Sequence, residues 1–279
     1  MRFPARSALA VIAILFVLAG ASVQGAEDPI NIGLIPDGLT QQERAPLRDY
    51  LSRAMGRQVN LVVPEVYSET VSHLADGSYD FACLGALMYV RSREKLGVIP
   101  LVQRVTDLQF HSVFITGTGS SINSLRDLKG KQFAFGDISS ASAHLMPYRE
   151  LKQAGIDPEK DLQVRYSGSH PATAAMVQAG VVEAGVLDET VYNSMIQRGK
   201  VDKKRVRVFY TSKPFVDYVY VARKDVPEAE RERFSRALLA LKEGTDDTVL
   251  KVLRGRHFVV ATDQEYGTVR QIARELKMF

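Results

Sequence analysis

The feature that most constrains the fold is an alternation of strand-like and helix-like segments that runs once and then starts again. Three apolar segments, "INIGLIP" (30–36), "VNLVVPEV" (59–66) and "FACLG" (81–85), are separated by stretches with helical spacing. "FACLG" is apolar throughout, as strands of a parallel sheet covered on both faces are. The alternation predicts a βαβαβ layer. A second set begins at "SVFITG" (112–117), and an amphipathic helical tail, 227–279, ends the chain.

Two such sets predict an α/β protein with two lobes and a ligand cleft between them. We expect residues 26–114 and 214–279 to form lobe 1 and residues 115–213 to form lobe 2. Two crossing strands, near Phe114–Gly119 and Tyr210–Pro214, would join the lobes. No low-complexity linker separates the two sets, which favours a hinged pair of lobes over independent domains.

The N-terminus has the layout of a secretory signal peptide. Arg2 and Arg6 precede an apolar run at 8–18, and small residues follow it. A basic region, a short apolar region and a small-residue cleavage site together predict export. The apolar run is too short to span a membrane comfortably, so cleavage is favoured over a retained anchor. We expect residues 1–25 to be removed and the mature chain to start at Ala26, in the periplasm.

Composition excludes several other classes of protein. The formal charge of +4 falls to +2 without the two N-terminal arginines, so nothing favours binding to nucleic acid. Cys83 is the one cysteine, and the five histidines show no metal-ligand spacing. His111 and His144 are the two histidines whose positions deserve most scrutiny. No nucleophile or nucleotide-binding motif is present, so we predict no enzymatic activity, no metal and no cofactor.

A serine segment, residues 137–142, lies where a strand passes into a helix. Its sequence, "DISSAS", contains Ser139, Ser140, Ala141 and Ser142 and carries little bulk. A helix N-terminus offers unpaired amide groups and a positive dipole end, which suit an anion. The alternative is ordinary helix capping, which needs only one serine. Pro147 falls inside the predicted helix, where it would break one backbone hydrogen bond.

Four further candidates follow strand-like segments. Asp137 and Asp188 each come directly after an apolar strand, and Tyr67 and Tyr89 follow two others. Ligand-binding residues of open α/β sheets gather at the carboxyl ends of strands. The alternatives remain open, because Asp188 also suits a helix N-cap and tyrosines most often pack in the core.

The order of these segments resembles a known family. The similar blocks are "PLRDYLSRAMGRQVNLVV" (46–63), "VYSETVSHLADGSYDFACLGALMYV" (66–90), "FAFGDISSASAHLMP" (133–147) and "SGSHPATAAMVQAGVVEAGVLDETVY" (167–192). Together they resemble the phosphate/phosphite/phosphonate-binding periplasmic proteins of ABC transporters. The resemblance covers nearly all of the expected mature chain, and it rests on the combination and order of the blocks.

The resemblance implies a type II-like periplasmic-binding-protein fold with an oxyanion held at the serine segment. The matching ligand positions here would be Tyr67, Ser140, Ala141 and Ser142, with His170 in the following block. Ala141 stands where the family usually has threonine, and Ile138 replaces a proline. Pro171 follows His170 where phosphonate binders can carry a glutamate for the substrate amine, so a ligand without an obligatory amine is expected.

The implied function is capture of a small phosphorus oxyanion, of the phosphonate, phosphite or phosphate type, for an ABC importer. The partners would be the oxyanion and a permease in the inner membrane, with the binding protein a monomer. The first alternative is a periplasmic sensor that presents its bound state to a membrane receptor or kinase. The second, less favoured, is an enzyme that acts on an oxyanion.

Overall fold

A computed structural model describes residues 28–279 of the chain. The predicted signal peptide, 1–25, and the predicted mature start, Ala26, lie outside the described residues. Within the described part, eleven strands form two sheets. In chain order they are β1 Ile30–Gly33, β2 Val59–Val62, β3 Phe81–Leu84, β4 Ile99–Arg104, β5 Ser112–Gly117, β6 Gln132–Phe135, β7 Gln163–Tyr166, β8 Ala184–Asp188, β9 Val206–Thr211, β10 Val219–Ala222 and β11 Phe258–Val260.

Ten α-helices cover the two sheets in this part of the chain. They are α1 Gln41–Met55, α2 Glu69–Ala75, α3 Ala86–Leu96, α4 Met146–Gln153, α5 Pro158–Asp161, α6 His170–Gln178, α7 Glu189–Gln197, α8 Glu228–Leu239, α9 Asp247–Leu253 and α10 Gly267–Glu275. Between residues 28 and 279 no helix is both long enough and apolar enough to cross a membrane. The predicted α/β fold with two sheets is confirmed.

Each sheet combines parallel strands with antiparallel ones. The first has the order β11-β4-β10-β3-β1-β2, and the second has the order β7-β6-β8-β5-β9. In the first sheet β1 is parallel to both neighbours, whereas β10 runs antiparallel to β3 and β4. In the second, β6 is parallel to β7 and β8, and β5 runs antiparallel to β8 and β9. The amino end of β10 therefore lies at the same sheet edge as the carboxyl ends of β1 and β3.

The chain crosses between the sheets earlier than the sequence predicts. Phe114 lies inside β5, which belongs to the second sheet, so the outward crossing is at 105–111 and not at Phe114–Gly119. An apolar strand shows the same pattern in either sheet, which is why the sequence misplaces this boundary. The division into residues 26–114 with 214–279 and residues 115–213 otherwise stays a prediction.

The outward and return crossings are joined to each other. Phe110 and Phe215 exchange two backbone hydrogen bonds, of 2.8 and 3.0 Å, and their rings pack edge to face. Nδ1 of His111 donates to the Ser212 carbonyl at 2.8 Å, which places this histidine at the crossing. These contacts hold the two crossing segments together as a pair.

The serine segment follows β6 through a close backbone approach. A Cβ on Gly136 would lie 2.5 Å from Cβ of Ala143, so only glycine fits there. The Gly136 amide donates to the Ala143 carbonyl at 3.0 Å. In a regular α-helix that carbonyl would accept from residue 147, which is proline and has no N–H. Pro147 thus leaves free the acceptor that ties the strand to the helix.

A π-helical turn, Ala141–Leu145, precedes α4 and resolves the position of Pro147. α4 begins at Met146, so the proline lies at the junction between the π-helical turn and α4. The helical hydrogen bond that Pro147 cannot donate is absent, as expected, and the Gly136 amide takes its place at the Ala143 carbonyl.

We expect Gly136→Ala to destabilise the protein, because its new methyl group collides with Ala143. Overpacking of this kind costs about 1–3 kcal/mol of unfolding free energy. Gly119→Ala is the matched control, since a Cβ at Gly119 meets nothing within 4 Å. Urea denaturation of both variants measures the difference, and equal unfolding free energies would contradict this account of the turn.

Candidate functional site

The serine segment presents its hydrogen-bond donors towards a buried cavity. Ser140 is the N-cap, and its Oγ accepts the Ala143 amide at 2.9 Å. The hydroxyl proton of Ser140 therefore remains available to a ligand. The Ala141 and Ser142 amides lie in the first turn, where no helical carbonyl precedes them as an acceptor. Capping and anion binding are compatible here, because capping uses only the oxygen of one serine.

Ser142, Ser139 and Asp137 complete this side of the site. Oγ of Ser142 is buried and has no hydrogen-bond partner within residues 28–279. The Ser139 amide donates to Asp137 Oδ1 at 2.7 Å, which folds the segment back on itself. Asp137 lines the cavity, whereas Ser139 and Ser142 lie beside it without lining it.

The cavity lies between the two sheets and takes residues from both. It is lined by Ile35, Pro36, Tyr67, Asp137, Ser140, Gly168, Ser169, His170 and Tyr218. Ile35, Pro36, Tyr67 and Tyr218 come from loops of the first sheet, and the remainder come from loops of the second. The predicted site residues Tyr67, Asp137, Ser140 and His170 are thus brought together, as expected of residues at the edges of facing sheets.

Two tyrosine hydroxyls accept hydrogen bonds from the protein and keep their own protons. Tyr67 Oη accepts the Gly85 amide at 2.5 Å. Tyr218 Oη lies 3.1 Å from Nε2 of His170. Burial keeps the pKa of both tyrosines well above the ordinary value, so both stay protonated. Each can donate to an anion in the cavity.

His170 is held in one neutral tautomer. Its Nδ1 accepts the Asp188 amide at 3.2 Å, so the proton is on Nε2, which donates to Tyr218. Burial lowers the pKa of this imidazole, against the opposing effect of the Asp188 carboxylate. Both ring nitrogens are therefore occupied by structural hydrogen bonds. His170 orients Tyr218, and the donor that reaches the cavity from this pair is the tyrosine hydroxyl.

Asp217 is a buried carboxyl that the sequence does not reveal; it does not line the cavity itself but lies behind two residues that do, Tyr67 and Tyr218. It is fully buried, and its Oδ1 accepts the Ala86 amide at 2.9 Å, while Oδ2 has no partner in the described chain. Burial raises the pKa of this carboxyl to about 8, although the Ala86 amide and the nearby Ser142 hydroxyl oppose the shift. A Cβ on Gly85 would lie 3.1 Å from Tyr67 Oη and 3.3 Å from Asp217 Oδ1. The carboxyl therefore lies beside the Tyr67 hydroxyl.

Asp217 and Tyr218 escape sequence-based prediction because of strand direction. They precede β10, and β10 runs antiparallel to its neighbours, with Val219 opposite Leu84. The rule that points to carboxyl ends of parallel strands therefore overlooks an amino end at the same edge. The available signal is an aspartate directly before an apolar strand, which is too common to be specific.

Two predicted site residues lie elsewhere. The Tyr89 hydroxyl donates to Asp263 at 2.7 Å, and its ring packs against Tyr266, away from the cavity. Asp188 caps α7, with Oδ1 accepting the Thr190 and Val191 amides at 2.5 and 2.9 Å. Burial opposes its ionisation, but His170, Arg254 and Arg104 outweigh that effect and lower the pKa of Asp188. Asp188 stands behind His170 and does not line the cavity.

His144 supports the serine segment from outside the cavity. Its Nδ1 donates to the Ile138 carbonyl at 2.9 Å, and its Nε2 accepts from the Tyr166 hydroxyl at 3.1 Å. Burial lowers the pKa of this imidazole to about 4, so it stays neutral near neutral pH. His144 thus fixes the loop that carries Asp137 and Ser139.

The two sheets, the paired crossings and a cavity lined by segments of both sheets are typical of two-lobed ligand-binding proteins. The family model for the periplasmic substrate-binding proteins of phosphonate ABC transporters matches residues 32–266. The chain belongs to that family, and it is a periplasmic solute-binding protein of the phosphonate type. The predicted resemblance is confirmed.

Individual relatives agree with this assignment. PhnD1 of Prochlorococcus marinus, named a probable ABC transporter phosphite binding protein, is 26% identical over 94% of this chain and 95% of its own. Its structure in complex with methylphosphonate gives a TM-score of 0.82 over 90% of this chain and 99% of that one. A binding protein component of an ABC phosphonate transporter from Pseudomonas aeruginosa shares the fold, with a TM-score of 0.81, 20% identity, and 89% and 86% of the two chains covered.

One relative belongs to a signalling protein. The tetrathionate sensor histidine kinase TtrS of Salmonella typhimurium is 24% identical over 82% of this chain. The matched region is 42% of that kinase's length.

We expect the stability of the protein to fall as pH rises from about 4 to 8 because of Asp217. The folded state keeps the Asp217 proton up to a pKa of about 8, whereas the unfolded chain loses it near the ordinary value of about 3.9. The stabilisation is therefore complete below the unfolded pKa and is lost as pH rises towards the folded one. Asp217→Asn removes this dependence.

Urea denaturation at pH 5 and pH 8 tests the assignment. The unfolding free energy of the wild type should fall relative to Asp217→Asn by on the order of 1 kcal/mol per pH unit. Parallel pH dependences of the two proteins would show that Asp217 is ionised in the fold.

Proposed function

We propose that the cavity between the sheets binds a small phosphorus oxyanion and that the bound protein delivers it to an ABC permease. The single observation that carries the proposal is the set of unused donors around one buried point. Ser140, Tyr67 and Tyr218 each retain a hydroxyl proton. The first-turn amides of Ala141 and Ser142 directly follow Ser140 and have no helical carbonyl as acceptor. An anion with several oxygens matches this set.

Asp217 can share a proton with one phosphorus-bound oxygen of the ligand. A carboxylate accepts from P–OH, and a protonated carboxyl donates to an ionised P–O oxygen, so the pair shares one proton either way. Asp137, also at the cavity, adds a second carboxyl. Phosphonates, phosphite and phosphate offer an ionisable P–OH near neutral pH. Sulfate can also accept from a protonated Asp217, but it has no proton to offer to Asp137, the second carboxyl. We infer that phosphorus oxyanions bind in preference to sulfate.

The fourth substituent on phosphorus is small and carries no obligatory amine. Ile35 and Pro36 form an apolar side of the cavity. Pro171 follows His170 and brings no carboxylate, and Asp188 does not line the cavity. Hydrogen or a methyl group suits these surroundings better than an aminoalkyl chain. The phosphite name and the methylphosphonate complex of PhnD1 support this ligand class.

The proposed role is binding without turnover. His170, the imidazole nearest the ligand, has both nitrogens engaged by structural partners, so it has no free nitrogen to act as a base. The protein would be exported, cleaved near Ala26 and active as a monomer in the periplasm, with closure of two lobes removing water around the anion. Intact mass of protein from the periplasm tests the cleavage, and a full-length mass would refute it.

Sensing is the second candidate function. It is favoured by the match to part of the sensor kinase TtrS. Deleting the gene distinguishes the two roles. Loss of growth on methylphosphonate or phosphite as the phosphorus source supports transport. Normal uptake with loss of a ligand-dependent transcriptional response supports sensing.

We expect the double replacement Ser140→Ala and Ser142→Ala to abolish tight binding of methylphosphonate. It removes two hydrogen bonds to a charged group, worth roughly 1.5–3 kcal/mol each, so affinity should fall by about two orders of magnitude or more. Folding should change by only about 1 kcal/mol, the value of one lost cap.

Ser121→Ala with Ser124→Ala is the matched control, because both serines are exposed residues of the same sheet's loops. Calorimetric titration should give wild-type affinity for this control. Wild-type affinity in the Ser140/Ser142 variant would remove the serine segment from the site.

A further inference from the structure

A buried polar network lies next to the cavity and contacts elements of both sheets. Asp37, just after β1, forms ion pairs with Arg44 of α1 and with Arg254 at the end of α9. Arg254 also reaches across to the second sheet's helices, where its Nε donates to Thr190 Oγ1 at 3.3 Å. One guanidinium thus binds elements of both sheets at once, and it is largely buried, with its side chain 11% exposed.

The network continues from Thr190 to a ligand donor. Thr190 Oγ1 donates to Asp188 Oδ1 at 2.8 Å. The Asp188 amide donates to His170 Nδ1, and His170 donates in turn to the Tyr218 hydroxyl at the cavity. Arg254 therefore contacts the helix start that fixes the tautomer of His170 and, through it, the direction of the Tyr218 hydroxyl.

The backbone at Arg254 is unusual. Arg254 has φ of 51°, in the left-handed region where glycine is normally favoured, and it ends α9 in that conformation. Lys277 is the other non-glycine residue with positive φ among residues 28–279, at 55°. A strained residue that persists in a buried, charged position suggests that its side chain serves a purpose. At Arg254 that purpose is the contact between the sheets.

We propose that Arg254 is a positioning residue that couples closure of the two lobes to the orientation of the ligand donors. The proposal rests on the proposed function. In the closed form the guanidinium binds both Asp37 and Thr190. These contacts hold the start of α7 in the position where the Asp188 amide donates to His170. Opening the cleft breaks the contact with Thr190, so the start of α7 is no longer held against His170.

The test compares Arg254→Gly with Lys277→Gly. Both substitutions relieve a positive φ, but only the first removes a guanidinium between the sheets. Calorimetric titration with methylphosphonate should show at least a tenfold loss of affinity for Arg254→Gly. Lys277→Gly should bind as the wild type does. Equal affinities of Arg254→Gly and the wild type would overturn the proposal.

A double-mutant cycle separates positioning from general stability. Thr190→Val removes the hydroxyl that Arg254 contacts, so Arg254→Gly should cause a much smaller further loss of affinity in the Thr190→Val background. Fully additive losses would show that Arg254 acts on the fold and not through Thr190. Arg254→Lys keeps the positive charge near Asp37 but lacks the several N–H donors of a guanidinium, so we expect an affinity between those of the wild type and Arg254→Gly. If Arg254→Gly does not fold, Arg254→Lys takes its place in the test.

Failure of the proposed function is distinguishable from failure of this inference. If the wild type binds neither methylphosphonate, phosphite nor phosphate, the proposed function fails. The coupling is then judged from distances between spin labels at Glu65→Cys and Ser121→Cys, which are exposed positions on the two sheets. Cys83 stays unlabelled because it is buried and burial raises the pKa of its thiol to about 12. Arg254→Gly should shift the distances towards longer values, and an unchanged distribution would overturn the proposal.

Discussion

The structure of the site depends on one constraint: a hydrogen-bonding group buried between two sheets needs a partner. Around this cavity the protein satisfies the oxygens of Ser140, Tyr67 and Tyr218 with its own N–H groups and leaves their protons unused. Asp217 differs from these hydroxyls, because what it leaves unused is an oxygen. One carboxyl oxygen is hydrogen-bonded, and the other has no partner in the described chain. Several donors and one proton-sharing carboxyl match an anion with several oxygens and one ionisable proton. The ligand class follows from this arrangement of donors and acceptors.

The topology brings these groups to one place. The carboxyl ends of β1, β2, β6 and β7 and the amino end of β10 all lead into the segments that line the cavity. Helix N-termini follow several of these loops, so their first-turn amides face the same region. The paired crossings at Phe110 and Phe215 keep the facing edges opposite each other. The network from Asp37 through Arg254 to Thr190 joins the same two units at a second place.

Much of this could be predicted from the sequence, because strand–helix alternation and family blocks are local patterns. The two-sheet fold, the capped serine segment and the approach of Tyr67, Asp137, Ser140 and His170 to one cavity all follow from them. Asp217 could not be predicted, because its position depends on the antiparallel direction of β10. The sequence predicts Tyr89 in the site although it contacts Asp263, since sequence spacing does not show which side of a helix faces the cavity. The sequence misplaces the outward crossing because β5 has the same apolar pattern as a strand of either sheet.

The assignment of Ser140, Ser142, Tyr67, Tyr218 and Asp217 as ligand contacts is the central claim. A crystal structure of the mature protein with methylphosphonate tests it most directly. We expect the phosphonate oxygens to lie within hydrogen-bond distance, about 2.5–3.2 Å, of the two serine hydroxyls, both tyrosine hydroxyls and Oδ2 of Asp217. We expect the methyl group to lie against Ile35 and Pro36. A phosphonate bound outside this cavity, or bound within it and contacted by Tyr89 and Asp188 in place of Tyr218 and Asp217, would contradict the account.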